Sequence, residues 1–354
     1  MSIKAFVGWL VVAIVSVAAA VIVVVDRPTS TVDALSREPV FAELRDNPDD
    51  VTSLTISSRF DTFTFIRENG EWRAPDKYNY PVDGKDVREL VVKLSDMRFI
   101  ERKTSNPERF DRLEVDDIDS ADSEAVLVRV ANAADKTLAE AVVGRPSARF
   151  IDGSVNGTYI RLPGDNTVWL VSGAVNVQTR LIPWLQRTIV SVPADTVKRV
   201  VIGSGNTAYE VVRDGEGDNA GWTIPQVPEG REFDARAASA LTRGLASVTL
   251  EEVSPASEKP LPDDAAQARF ETVDGVAVDV RLAMIDDKPW AAVRALYTGD
   301  AADDSDAAKA ARKNVDEINA RTDGWVYWIA SETFERLTAP LDNQLIPLEK
   351  EKQS

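Results

Sequence analysis

The chain has 354 residues, a hydrophobic fraction of 44% and a formal net charge of −17 at pH 7, with no histidine and no cysteine. Without imidazole or thiol groups it cannot build a Ser-His-Asp triad, a cysteine nucleophile or an ordinary zinc site, so no cofactor or metal ion is expected. The acidic balance argues against nucleic acid as a partner, and the length allows two domains of about 150 residues.

The N-terminus carries an apolar run that is long enough to span a membrane. Residues 5–25 contain no charged side chain, and about twenty such residues cross a bilayer as a helix. Lys4 precedes the run, so the positive-inside rule favours a cytoplasmic N-terminus at residues 1–4. We therefore expect a single-pass membrane protein with its C-terminal bulk outside the cytoplasm, which in a bacterium means the inner membrane and the periplasm. The alternative is a cleaved signal peptide, because Ala18-Ala19-Ala20 resembles a cleavage site.

The chain then contains one pattern twice, at residues 51–101 and 197–252. Each copy has two strand patterns, an arginine, a turn, a tryptophan, a proline and a helix pattern, which indicates an internal duplication. The candidate binding or repeat-signature residues are Arg67, Trp72 and Pro75 in the first copy, and Arg213, Trp222 and Pro225 in the second. A structural role is expected for them. Core packing is the default for both tryptophans, and stacking on a ligand is the alternative.

The first repeat is assigned to residues 49–192, after a tether over residues 26–48. Its first two strand patterns meet at Asn69-Gly70, a pair that tolerates positive φ in a hairpin turn. Asp83 is expected to cap a helix over residues 85–98. The acidic run 114–124 is predicted as a solvated loop, because it lacks the glycine at the sixth position and the glutamate at the twelfth that a calcium-binding EF-hand requires. The remaining predicted elements are strands at 125–131, 138–143, 158–162 and 168–171, and a helical segment over 175–188 with Trp184 in the core.

The second repeat is assigned to residues 193–347, and residues 348–354 form a charged tail. Asp234 should cap its helix, as Asp83 does in the first repeat. Within the insertion 300–321, Asp304 or Asp306 is predicted to cap an alanine-rich helix. We expect this helix to be a solvated excursion, with a partner-binding arm as the alternative. The other predicted elements are strands at 268–272, 277–283, 290–296 and 326–329, and a last helix at 332–337 capped by Ser331.

These elements predict an α+β fold: an N-terminal transmembrane helix followed by two tandem repeats, each an antiparallel β-meander with packed helices. The repeated arginine, glycine, tryptophan and proline pattern resembles the bacterial domain of unknown function 4340 family. The resemblance implies a membrane-anchored envelope protein associated with ABC transporters of the gliding-motility type, with an ABC permease, an ATPase and an auxiliary subunit as possible partners. It carries over no catalytic residues. The sequence contains no GxxxxGK[ST] motif, so any ATPase must be another chain.

The expected function is therefore a non-enzymatic periplasmic accessory or scaffolding subunit of a membrane complex. The alternative is a carboxylate-based enzyme or a binding module that acts on cell-envelope glycans, since glycoside hydrolysis needs only two carboxyl groups. An acidic chain offers too many carboxylate pairs to select one. Asp83 and Asp234 occupy equivalent positions, but a place directly before a helix favours capping over catalysis.

Overall fold

A computed structural model describes residues 38–151, 155–215 and 221–346. The chain divides into two compact units: the first runs to Asp76 and continues over Pro81–Trp184, and the second comprises Lys77–Tyr80 and continues from Leu185. The predicted membrane helix at 5–25 and the predicted tail at 348–354 lie outside the described residues. Within the described ranges, no helix is long and apolar enough to cross a membrane.

The first sheet has nine strands in the order β4-β3-β2-β1-β6-β7-β8-β9-β5. The strands are β1 (Val51–Ser57), β2 (Thr62–Glu68), β3 (Glu71–Ala74), β4 (Tyr80–Pro81), β5 (Phe99–Thr104), β6 (Val126–Asn132), β7 (Thr137–Ile151), β8 (Val155–Arg161) and β9 (Val168–Ser172). Two helices accompany them, α1 (Ala42–Asp46) and α2 (Gly84–Ser95). Alternate residues of the strands point into an apolar core, which contains Leu54, Phe63 and Phe65.

The second sheet also has nine strands, in the order β10-β14-β18-β17-β16-β15-β11-β12-β13. The strands are β10 (Thr188–Val190), β11 (Val197–Ile202), β12 (Tyr209–Asp214), β13 (Gly221–Thr223), β14 (Val248–Pro255), β15 (Ala266–Thr272), β16 (Val276–Ile285), β17 (Lys288–Tyr297) and β18 (Trp325–Ile329). The helices of this part are α3 (Ala235–Thr242), α4 (Asp306–Thr322) and α5 (Ser331–Thr338). The protein is thus a mixed α and β structure with two large antiparallel sheets and few helices in its described part.

The two sheets follow the same strand order. The series β3-β2-β1-β6-β7-β8-β9-β5 in the first matches β13-β12-β11-β15-β16-β17-β18-β14 in the second. The registers agree as well, because Thr55 lies opposite Arg129 in the first sheet and Val201 lies opposite Arg269 in the second. Positions on the two sheets can therefore be compared strand by strand.

Local sequence signals are confirmed at the first hairpin turn and at the starts of α2 and α3. Asn69 and Gly70 have φ values of 51° and 87° and join β2 to β3. The Asp83 carboxylate accepts the Lys85 N–H at 2.9 Å, and the Asp234 carboxylate accepts the Arg236 N–H at 2.8 Å. Each cap satisfies a backbone donor that the helix itself leaves unpaired.

The predicted helix over residues 175–188 is wrong. The structure has only a single 3-10 turn there, Ile182–Trp184, followed by β10. Pro183 explains the difference, because proline donates no backbone hydrogen bond and its ring clashes with the preceding helical turn. The tryptophan itself is buried as predicted, with 5% of Trp184 exposed.

The caps of the last two helices also differ from prediction. The Ser305 hydroxyl accepts the Ala308 N–H at 3.2 Å, so serine caps α4 in place of Asp304 or Asp306. Ser331 is the first residue of α5, and Ala330 occupies the cap position without a side-chain hydrogen bond. Ser305 and Ala330, the residues directly before the two helices, have the extended backbone that a cap position requires.

Helix α4 is not the solvated excursion that its composition suggests. It buries Ala308, Ala311, Val315 and Ile318 along one side. The Asn319 amide accepts the Ala295 N–H at 2.8 Å and donates to the Ala295 C=O at 2.9 Å. The small alanines let the helix approach β17 closely. Asn319 pairs with backbone groups of β17 at a point that β18 does not reach.

The described end of the predicted tether, residues 38–48, belongs to the first unit. Leu44 of α1 has an exposed fraction of 0%. The Val40 N–H donates to the Met97 carbonyl at 2.9 Å, and Pro39 forms a β-bridge with Arg98. This stretch therefore packs on the fold through both apolar and backbone contacts.

The two-residue turn between β16 and β17 offers a test of local strain. Asp286 and Asp287 both have positive φ, at 53° and 58°, a conformation that costs a residue with a Cβ atom about 1–2 kcal/mol. We expect Asp287→Gly to raise the free energy of unfolding by about 0.5–1 kcal/mol, measured by urea denaturation. The same change at Asp306, the first residue of α4, should lower the stability. A loss of stability for Asp287→Gly would contradict the assignment of strain to this turn.

An arginine face on the second unit

The repeat-signature residues form matching pairs at the two hairpins. Arg67 lies opposite Trp72 between β2 and β3, and Arg213 lies opposite Trp222 between β12 and β13. The Arg213 guanidinium stands 5.6 Å from the centre of the Trp222 ring, in the range of a cation–π contact. Both tryptophans are half-buried. Pro75 and Pro225 are exposed and lie just beyond β3 and β13.

One face of the second sheet is open and concave, and it encloses about 760 Å³. It is formed by the side chains of β11, β15, β16 and β17 that alternate with the core residues of those strands. The arginine face is defined by Arg199, Arg269, Arg281 and Arg294. Two carboxylates, Asp279 and Asp323, also line the cavity, together with Gln267 and Trp325. Four arginines on one face are notable in a chain whose net charge is −17.

Two of these arginines are already paired with carboxylates. The Arg269 Nε and Nη2 atoms donate to the two oxygens of Asp279 at 2.5 and 2.8 Å. This fork-shaped hydrogen bond raises the pKa of the Arg269 guanidinium. Arg199 pairs with Glu210 and, at 3.3 Å, with Glu271. These ion pairs neutralise the charges of Arg199 and Arg269.

The other two arginines form no ion pair with a carboxylate in the described part of the chain, although Asp279 lies opposite Arg294 on the neighbouring strand. Arg281 donates only to the Pro262 carbonyl, at 2.8 Å, and no ion pair is formed by Arg294. Arg281 lies opposite Ala292 of the neighbouring strand, and Ala292 comes two residues before Arg294 in that strand. The two guanidinium groups are therefore diagonal neighbours on one face, where like charges repel and an anion would stabilise both. Chemically, this corner of the face can bind carboxylate or phosphate oxygens.

The corresponding face of the first sheet is covered by the chain itself. The cover segment, residues 105–125, connects β5 to β6 and buries Phe110 and Val115 against Val142 of the sheet. Arg161 is only 7% exposed and donates to the Val115 carbonyl at 2.8 Å and to the Asp117 carboxylate at 2.6 Å. The acidic run 114–124 is thus not simply a solvated loop, since Val115 is buried and Ile118 is half-buried. In the second unit the corresponding connection, residues 256–265, is shorter.

Matched positions show how the two faces differ. Leu127 lies opposite Val142 in the first sheet, and their counterparts in the second are Gln267 and Arg281. Beside this pair, Gly144 has Ala283 as its counterpart. A Cβ atom on Gly144 would come within 2.2 Å of the Leu113 carbonyl oxygen in the cover segment. At these positions the covered face is apolar, with a glycine that leaves space for the segment, and the open face is polar.

A family model for a domain of unknown function, DUF4340, matches residues 72–270, which is more than half of the chain. The chain belongs to the DUF4340 family. The DUF4340 match starts at Trp72 of β3 and ends at Phe270 of β15. It therefore includes the cover segment and two members of the arginine face, Arg199 and Arg269, while Arg281 and Arg294 lie beyond it. No curated protein and no solved structure matches the chain significantly.

Sequence reasoning missed the arginine face. On β15 and β16 the charged residues alternate with apolar ones, a pattern typical of any sheet with one solvated side. The signal that could have found it is the recurrence of arginine on three successive strands of an acidic chain, with Arg269 on β15, Arg281 on β16 and Arg294 on β17. Within the described residues, no group of three or more acidic side chains is placed to hold a metal ion.

Proposed function

We propose that this protein is a non-enzymatic accessory or scaffolding subunit of a membrane complex in the bacterial envelope. It is anchored in the inner membrane through residues 5–25, and its folded units act in the periplasm. The arginine face of the second unit is the surface that binds the partner. The single observation that supports this function is an open, concave face on a strongly acidic chain, with two arginines that form no ion pair within the described residues.

We also propose that the two units are tandem repeats with divided roles. The shared strand order, the matching registers and the repeated arginine–tryptophan pairs support a common origin. In the first repeat the cover segment occupies the face, so this unit serves as a folded support. In the second repeat the same face is free for another molecule. The partner that the family resemblance favours is an ABC permease with its ATPase and an auxiliary subunit.

Co-purification from native membranes tests this function. The full chain, with a C-terminal tag, is extracted in mild detergent, and stoichiometric partners are identified by mass spectrometry. We expect to recover an ABC permease and an ATPase with the unmodified chain. With Arg281→Glu/Arg294→Glu, the recovery of these partners should fall about tenfold or more, because charge pairs that become buried in a complex slow its dissociation.

The matched control is Arg88→Glu/Lys313→Glu, which makes the same change in charge at two exposed positions outside the face. This variant should retain the partners. Recovery of the unmodified chain alone, in membranes where such complexes are intact, would overturn the scaffolding function. Equal recovery with the face variant and the unmodified chain would overturn the assignment of the binding surface.

A further inference from the structure

We propose that the occupant of the arginine face is an acidic, non-helical segment of a partner polypeptide, held by Arg281 and Arg294. This inference rests on the proposed function and names the class of partner that the site recognises. The cover segment of the first unit supplies the argument, because it shows what kind of chain this type of face accepts.

The cover segment has eight acidic and two basic residues. It contains no strand and no α-helix, only the 3-10 turns Pro107–Arg109 and Asp111–Leu113. It is held by two kinds of contact: apolar side chains such as Phe110 packed on the sheet, and the Asp117 carboxylate paired with Arg161. This chain therefore already contains an irregular acidic segment that binds an arginine of a sheet.

The second face requires an occupant with more anionic groups. Where the first face offers Leu127 and Val142 to its cover segment, the second offers Gln267 and Arg281. Arg281 and Arg294 each present a guanidinium that forms no ion pair within the described residues, and only Arg294 has a carboxylate, that of Asp279, opposite it on the neighbouring strand. Between them stands Ala292, whose small side chain leaves room for a main chain to approach. A partner segment that brings carboxylates complements this surface in charge, as Asp117 complements Arg161.

The spacing of the two arginines adds a sequence requirement. The Cα atoms of diagonal neighbours on adjacent antiparallel strands are about 7–8 Å apart. In an extended chain, side chains at positions i and i+2 point the same way and are about 7 Å apart. Two acidic residues separated by one residue, in an extended stretch, can therefore each meet one guanidinium. The cover segment itself contains such a pair at Asp117 and Asp119.

Site-specific photo-crosslinking in native membranes tests this proposal. A photoreactive amino acid replaces Ala292 in the full chain, and the crosslinked peptide is identified after digestion. We expect a peptide of a partner protein that carries acidic residues at positions i and i+2. Its yield should fall about tenfold or more when Arg281→Glu/Arg294→Glu is added. The control places the photoreactive residue at Val273, which is 62% exposed in the turn before β16 and should not capture the same peptide.

Other outcomes separate this inference from the proposed function. Crosslinks to a lipid or a glycan, or to a peptide without an acidic pair, would overturn it. If co-purification depends on the arginine face while the crosslinked peptide is not acidic, the scaffolding function stands and only the class of occupant is wrong. If no partner co-purifies with the unmodified chain, the scaffolding function itself fails.

Discussion

Replacing Gly144 with alanine is expected to lower the free energy of unfolding by about 1–3 kcal/mol, because the new methyl group overlaps the cover segment. A Cβ atom at this position would lie 2.2 Å from the Leu113 carbonyl oxygen and 2.9 Å from that of Glu114. Both are main-chain atoms, so no rotation of a side chain relieves the overlap. The segment must move away from the sheet, which exposes Phe110 and weakens the bond between Arg161 and Val115.

Limited proteolysis and thermal unfolding of the full chain measure this effect. The cover segment contains Arg109 and Arg112, so we expect faster trypsin cleavage there in Gly144→Ala. Gly221→Ala is the matched control, because a Cβ atom on Gly221 meets nothing within 4 Å. Its stability should change by no more than about 0.5 kcal/mol. Unchanged cleavage and an unchanged Tm in Gly144→Ala would show that the cover segment does not lie on this face.

Trp184→Ala should cost the first unit about 3–5 kcal/mol, the range for removing a buried aromatic side chain. The ring is 5% exposed and its centre lies 5.5 Å from that of Phe65. Its Nε1–H donates to the Gln178 carbonyl at 3.1 Å, so the mutation also leaves a main-chain acceptor without its donor. Urea denaturation monitored by circular dichroism provides the measurement.

Trp222→Ala serves as the comparison for this substitution. Trp222 is only half-buried and packs against Arg213 across its hairpin, so its loss should cost less, about 1–2 kcal/mol. Equal losses for the two variants would contradict the difference in burial. A Trp184→Ala protein with an unchanged Tm and weakened partner recovery would instead identify Trp184 as a docking residue.

The elements that could be predicted from sequence are those decided by neighbouring residues. Asn69-Gly70 specifies a turn because both residues accept positive φ at low cost. Asp83 and Asp234 specify helix starts because an aspartate before a helix can accept the first free N–H groups. The same reasoning failed between residues 175 and 188, where apolar spacing was compatible with a helix and Pro183 prevented it. Periodicity reports which residues are buried, and it cannot exclude an irregular segment that buries the same ones.

The sequence by itself determined the acidic composition, the absence of thiol and imidazole chemistry, the paired hairpin signatures and the membership suggested by them. Only the tertiary structure decided that one sheet face is covered and its counterpart is open. Matched positions differ in polarity between the two sheets, but neither pattern tells whether a long connection folds back over a face. Residues 105–125 do so because Gly144 leaves space for their backbone and Arg161 binds it. The shorter connection at 256–265 leaves Arg281 and Arg294 in an open cavity, and these contacts join residues far apart in the chain.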